Sequence, residues 1–158
     1  MSSDASFERV YTVTDYYDGP RKRLADLGGV PHLYRSLFLD GPGGYDREDD
    51  RFELSPVDPC ILAMALEDWE IWCRWELAFH SGQTSHDTKP ALPQDRARHL
   101  ELSGLLEGPL RIDPSHRLIL RGKFRVRQPV PTTPPGVLRP LEVCWTSVDT
   151  HTVSWKQR

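Results

Sequence analysis

The sequence of 158 residues has few cysteines and no long apolar run. Its three cysteines are too few for a disulfide framework. The longest apolar run, CILAMAL at residues 60–66, is far shorter than the ~20 residues that a membrane-spanning helix needs. The opening MSSDASFERV lacks the basic start and the apolar stretch of a secretory signal. These absences predict a reduced, cytoplasmic protein without a membrane segment.

Complete catalytic motifs are also missing. The chain contains no GxSxG, no phosphate-binding glycine loop, no dinucleotide fingerprint, no HExxH and no paired CxxC. The acidic run DREDD at 46–50 imitates the start of a calcium loop, but Arg51 stands where that loop requires glycine. Val57 stands where the loop requires its bidentate glutamate. We therefore predict no cofactor and favour a non-catalytic protein.

Length and composition predict one globular domain spanning residues 1–158, of which only the small polar residues 1–6 are expected to be disordered. Hydrophobic residues make up 38% and charged residues 27%, which is ordinary for a folded domain. The net charge of −3 divides unevenly, with −8 over residues 1–90 and +5 over residues 91–158. This split predicts attraction between the halves or an interaction surface.

Hydrophobic periodicity predicts five strands and two helices. The strands are expected at 9–17, 24–27, 30–39, 116–127 and 137–148, and the helices at 59–81 and 93–107. Asp58 is a favourable N-cap for the first helix, and Gly82 is a natural stop. The order β-β-β-α-α-β-β predicts an α+β domain. We expect an antiparallel sheet or partly open barrel of about five strands, packed on the long tryptophan-rich helix and on the second helix. The helical hairpin, 59–107, would be inserted between the two groups of strands.

Three tryptophans lie three residues apart in the long helix, within EDWEIWCRWELAFHSG at residues 67–82. At 100° per residue, the apolar side chains of this helix cover well over half of its circumference. Trp69, Trp72 and Trp75 spread across that arc and would face different neighbours. The pattern predicts a buried central helix whose tryptophans fill the core, with an aromatic ligand site as the alternative.

Two carboxylates, Asp68 and Glu76, interrupt the apolar arc. Buried carboxylates are costly unless they are paired, so we expect hydrogen bonds from backbone amides or from an arginine. The arginine candidates are Arg96, Arg98 and Arg35. The functional alternative is a pair of carboxylates with tuned pKa values in a cleft. Because about 12 Å of helix separates them, they cannot share one proton or one metal ion.

Histidines near the end of the long helix provide weak candidates for a catalytic or metal site. His80 lies one turn after Glu76, so a small enzyme would use His80 as a general base oriented by Glu76. The metal-ligating candidates are His80, His86, Asp87 and His99. Their spacing matches no established zinc motif, so no metal is predicted, and a small enzyme or metal-binding protein is the alternative function.

The predicted strand 116–127 carries cations on one face. We name Arg117, Arg121, Lys123, Arg125 and Arg127 the basic ladder. Side chains on one strand face repeat every ~6.6 Å, so the ladder suits an acidic protein surface, a phosphate backbone or the chain's own acidic run. Charges of one sign also protect an edge strand from unwanted pairing. Our leading hypothesis is a cytosolic protein-interaction or regulatory module that presents the ladder to an acidic partner. A single-stranded nucleic-acid binder is the second alternative, although the ladder lacks interleaved aromatic residues.

Overall fold

Six antiparallel strands close into a barrel in chain order in this computed structural model, which describes residues 6–16, 20–37 and 50–148. The strands are β1 (Glu8–Tyr16), β2 (Pro20–Leu27), β3 (Val30–Ser36), β4 (Arg51–Pro56), β5 (Leu118–Val126) and β6 (Leu141–Ser147). β6 returns to pair with β1 and completes the ring. The predicted disordered segment, residues 1–6, and the acidic run lie outside the described residues apart from Ser6 and Asp50.

The α+β class and the antiparallel pairing are confirmed, but the expectation of about five strands in a partly open barrel needs correction. The missing strand is β4, whose six residues alternate between buried positions such as Phe52 and Leu54 and outward positions such as Glu53. So short an alternation, directly after an acidic run, is a weak signal. Because β5 pairs with both β4 and β6, the prediction that the basic ladder protects an edge strand is wrong.

Aromatic side chains from four strands fill the barrel. Tyr34, Phe52, Phe124 and Trp145 contact one another with ring centroids 5.5–6.0 Å apart, in the edge-on and tilted arrangements that aromatic pairs prefer. Gly122 lies on the same face of β5 as Phe124 and leaves room for the Trp145 ring. The interior is therefore packed with side chains.

The helical hairpin packs on the outside of the barrel. It consists of α1 (Pro59–His80) and α2 (Arg96–Leu106), and the Asp58 side chain accepts a hydrogen bond from the Cys60 amide as the predicted N-cap. Leu24 and Leu33 point outward from the barrel into a cluster with the hairpin residues Ile71 and Leu102. Strand residues thus have apolar neighbours on both faces. Within the described ranges, no helix is long and apolar enough to cross a bilayer.

Candidate ligand-binding site

A cleft of about 560 Å³ lies between α1 and the strands β1 and β2. This volume is within the range typical of small-molecule sites. Its walls come from α1, from β1 and β2, from the loop between α1 and α2, from the end of α2 and the segment after it, and from the connection between β5 and β6. The lining residues used below are Thr12, Thr14, Arg23, Asp68, Trp69, Trp72, Glu76, Lys89, Gly136 and Leu138. Two of the three tryptophans and both carboxylates singled out in the sequence therefore share one concave surface.

The three tryptophans of α1 have different environments. Trp75 is buried at 3% exposure, stacks on Trp72 and Phe79, and donates its indole N–H to the Thr88 hydroxyl at 2.8 Å. It is the core residue that the pattern predicted. Trp69 and Trp72 are half-buried and line the cleft. The prediction that all three fill the core is wrong for these two, because the barrel and α2 cover a narrower arc of α1 than its apolar face.

The two carboxylates are held differently. Asp68 Oδ1 lies 2.7 Å from His99 Nδ1 on α2. Glu76, only 9% exposed, accepts one hydrogen bond, from the Leu138 amide at 3.3 Å. The predicted hydrogen bond from a backbone amide is thus confirmed for Glu76.

The predicted hydrogen bond from an arginine is wrong for both Asp68 and Glu76. Arg98 pairs with Glu67 and Glu101, and Arg35 pairs with Glu53. Glu76 forms no ion pair with any residue that the structure describes.

Strand β1 is irregular where it lines the cleft. Its register against β2 shifts between Val10 and Thr12 and again between Val13 and Asp15. Opposite Val13, Arg23 has a φ of 142°, which non-glycine residues rarely adopt. Such bulges re-aim side chains and are frequent beside functional sites.

The Thr12 hydroxyl is a further anomaly on the same wall. Thr12 is 4% exposed, and its Oγ1 has no hydrogen-bond partner among the described residues. Buried polar atoms are normally paired, so each exception needs an explanation. The oxygen has almost no accessible surface, so a bound molecule would reach it only after the wall of the cleft shifts.

The histidine candidates do not converge on one point. His80 and His86 both lie edge-on to Phe79, at 5.2 and 5.9 Å between ring centroids, whereas His99 contacts Asp68. Asp68 and His80 are twelve residues apart on α1, about 18 Å along its axis. Asp87 is also on the loop after α1, where it accepts a hydrogen bond from the Ser85 hydroxyl. In the described part of the chain, no group of three or more His, Cys, Asp or Glu side chains is placed to hold a metal ion.

Glu76 and His80 both hold the connection between β5 and β6. Glu76 binds the Leu138 amide, and the His80 ring packs so closely on Gly136 that a Cβ there would lie 2.6 Å from His80 Nδ1. No hydrogen bond joins Glu76 to His80 in the described structure. The two candidate catalytic residues therefore position the wall of the cleft formed by this connection.

Cys73 provides no additional nucleophile near this site. Cys73 is exposed, but partial desolvation of its thiol, together with the neighbouring Glu76 and Glu70 carboxylates, raises the pKa of Cys73 to about 11. The thiol is protonated at neutral pH, and the thiolate is the reactive form.

The basic ladder lies on the outside of the barrel, and most of it is neutralised. Arg117 binds Glu53, Arg121 binds Asp50 of the acidic run, and Arg125 binds Glu142. Exposed ion pairs contribute little stability, but they reduce the charge that a partner would meet. Lys123 and Arg127 are exposed and have no ion pair within the described ranges.

Comparisons with protein-family models, with curated proteins and with solved structures find no match to this chain. Any function proposed for it therefore depends on the chemistry of its own residues. The signal that could have located the cleft is the spacing of Asp68, Trp72 and Glu76, which are four residues apart on one face of α1. The opposite wall, on β1 and the β5–β6 connection, has no local signal.

Proposed function

We propose that this chain is a non-catalytic binding protein that holds a small organic molecule in the cleft between α1 and the barrel. One observation carries the proposal: a concave, tryptophan-lined surface contains the buried carboxylate of Glu76, which accepts a single hydrogen bond from the residues that the structure describes. Ligand sites combine apolar walls with a few such polar groups. The shifted β1 register and the positive φ of Arg23 lie in the wall of this cleft and also favour it as the functional site.

A fragment screen by protein-observed NMR tests this function. The five tryptophans give five indole N–H signals, which report on different parts of the chain. We expect hits that shift the Trp69 and Trp72 signals and leave that of Trp145, inside the barrel, unchanged. Hits that map only to other surfaces, or a complete absence of hits, would contradict the proposal.

Two substitutions give this screen its controls. Thr14 is exposed and lines the cleft, so Thr14→Phe should fill the cleft and abolish binding. Thr146→Phe, at an exposed position of β6 that does not line the cleft, should leave binding intact.

Protein interaction through the basic ladder is the second candidate function. Fewer charges support this function than the sequence implied. Of the five residues of the basic ladder, two, Lys123 and Arg127, have no intramolecular ion pair in the described structure. An acidic partner would meet these two side chains first. Cys60, Cys73 and Cys144 are all free, which supports a reducing compartment, and we propose the cytosol for either function.

Charge reversal tests this second function. The variant with Lys123→Glu and Arg127→Glu should lose partners that wild type captures from nuclease-treated lysate. The matched variant with Arg96→Glu and Arg111→Glu, at exposed positions on α2 and in the segment that follows it, changes the net charge equally and should keep them. Equal capture by all three proteins would exclude the basic ladder as the partner-binding surface. Loss of partners on nuclease treatment alone would favour nucleic acid.

A further inference from the structure

We infer that the ligand of the cleft carries a positively charged amine that binds the Glu76 carboxylate. This inference rests on the proposed function and names the chemical class that the cleft accepts. Glu76 is nine-tenths buried, and the one hydrogen bond that it accepts from a described residue, the Leu138 amide, is long at 3.3 Å. A carboxylate can accept about four hydrogen bonds, so most of its capacity is unused.

The other charges of the cleft are already engaged or solvated. Asp68 Oδ1 is hydrogen-bonded to His99 Nδ1 at 2.7 Å. Arg23 also has an interaction partner in the protein. Lys89 is exposed, with its ammonium 5.7 Å from the centre of the Trp72 ring. Among these groups, Glu76 is the buried charge without a counter-charge, and an isolated buried charge gains most from a partner of opposite sign.

The tryptophans favour the same ligand. Trp72 lies one helical turn before Glu76 on the same face of α1, and Trp69 lies about two turns before it. Indole is the side chain that attracts cations most strongly to its face. Trp72 already stacks on Trp75 and has the Lys89 ammonium near its ring, so we expect the cation of the ligand to contact Trp69. An ammonium group brings three donors, which suits a carboxylate whose lone pairs are largely unused by the described residues. An aromatic or aliphatic portion of the ligand would occupy the rest of the apolar wall.

Three matched probes test the inference: phenethylamine, 2-phenylethanol and phenylacetate, titrated against the protein with the Trp69 and Trp72 indole signals as the readout. They present a cation, a neutral group and an anion on similar frames. We expect phenethylamine to bind at least about tenfold more tightly than 2-phenylethanol, because its hydrogen bond to Glu76 is charge-assisted. Phenylacetate should bind most weakly.

Glu76→Gln should abolish the preference for the amine, so that amine and alcohol bind with similar affinity. Glu70→Gln removes the same charge from an exposed position of α1 and should retain the full preference. Thermal melts of both variants check that each remains as stably folded as wild type. The conservative variant Glu76→Asp, which keeps the charge, should retain part of the preference.

The possible failures are distinguishable. Equal binding of amine and alcohol, both lost in Thr14→Phe, would overturn the amine inference and support the binding function. Tighter binding of phenylacetate, or no binding of the amine at about 10 mM, would also overturn the inference, since a fragment of this size is expected to bind below that concentration. Binding of all three probes that Thr14→Phe leaves unchanged would overturn the proposed function itself.

Discussion

Replacing Trp75 with alanine should lower the free energy of unfolding by about 3–5 kcal/mol, the cost typical of deleting a buried tryptophan. Its ring stacks on Trp72 at 5.2 Å and on Phe79 at 5.0 Å between centroids, and His86 contacts its edge. Truncation would remove these contacts together and leave the Thr88 hydroxyl without its indole donor. Urea denaturation, followed by circular dichroism, measures the change.

Trp75→Phe is the matched control. It keeps an aromatic ring between Trp72 and Phe79 and removes the hydrogen bond to Thr88, whose loss costs about 1 kcal/mol. Reduction of the ring adds a moderate packing cost. If Trp75→Ala costs less than about 1.5 kcal/mol, well below the range typical of such a deletion, then α1 is not anchored through this ring, and the placement of Trp72 in the cleft wall is wrong as well.

The same variants connect stability to the proposed site. Trp72 faces the cleft on one side and stacks on Trp75 on the other, so Trp75 positions it without contacting a ligand. Trp75→Phe should therefore retain fragment binding. A folded Trp75→Phe variant that binds no fragment at the cleft would show that the wall depends on the indole itself and its bond to Thr88.

Most secondary structure was predictable because it depends on neighbours in sequence. Asp58 caps α1, Gly82 follows its end, and Gly28 and Gly29 take positive φ values in the turn between β2 and β3, as tight hairpins require. The closure of the barrel was not predictable in this way. It depends on β6 meeting β1 at Glu8 and Arg9, a contact between residues far apart in the chain.

The cleft shows the same division between local and distant information. The polar residues on the apolar arc of α1 lie on one wall of the cleft, because helical geometry places Asp68 and Glu76 on one face with Trp72. Their partners, His99 and the Leu138 amide, come from other segments. The pairing of Arg121 with Asp50 joined the basic ladder to the acidic run, an alternative that charge alone could not rank against an external partner.

Replacing Gly122 with alanine should lower the free energy of unfolding by about 1–3 kcal/mol, the range typical of overpacking a core. A Cβ on Gly122 would lie 2.6 Å from Trp145 Cζ3 and 3.1 Å from two ring atoms of Phe52. Neither ring can withdraw easily, because Phe52 is 2% exposed within the aromatic cluster and the Trp145 indole donates to the Asp26 carbonyl. Urea denaturation again provides the measurement.

Gly104→Ala is the same chemical change with the opposite expected sign. Gly104 lies in α2, and beyond the backbone of its own helix no atom of the described residues comes within 4 Å of the place that a methyl group would occupy. Alanine there should stabilise the protein by up to about 1 kcal/mol through helix propensity.

A double-mutant cycle with Trp145→Phe isolates the clash at Gly122, since the smaller ring removes the atom that the new methyl group would meet. Gly122→Ala should cost less in that background, by a coupling energy of about 0.5 kcal/mol or more. If Gly122→Ala is neutral in both backgrounds, the barrel interior is looser than the contacts of Trp145 and Phe52 imply.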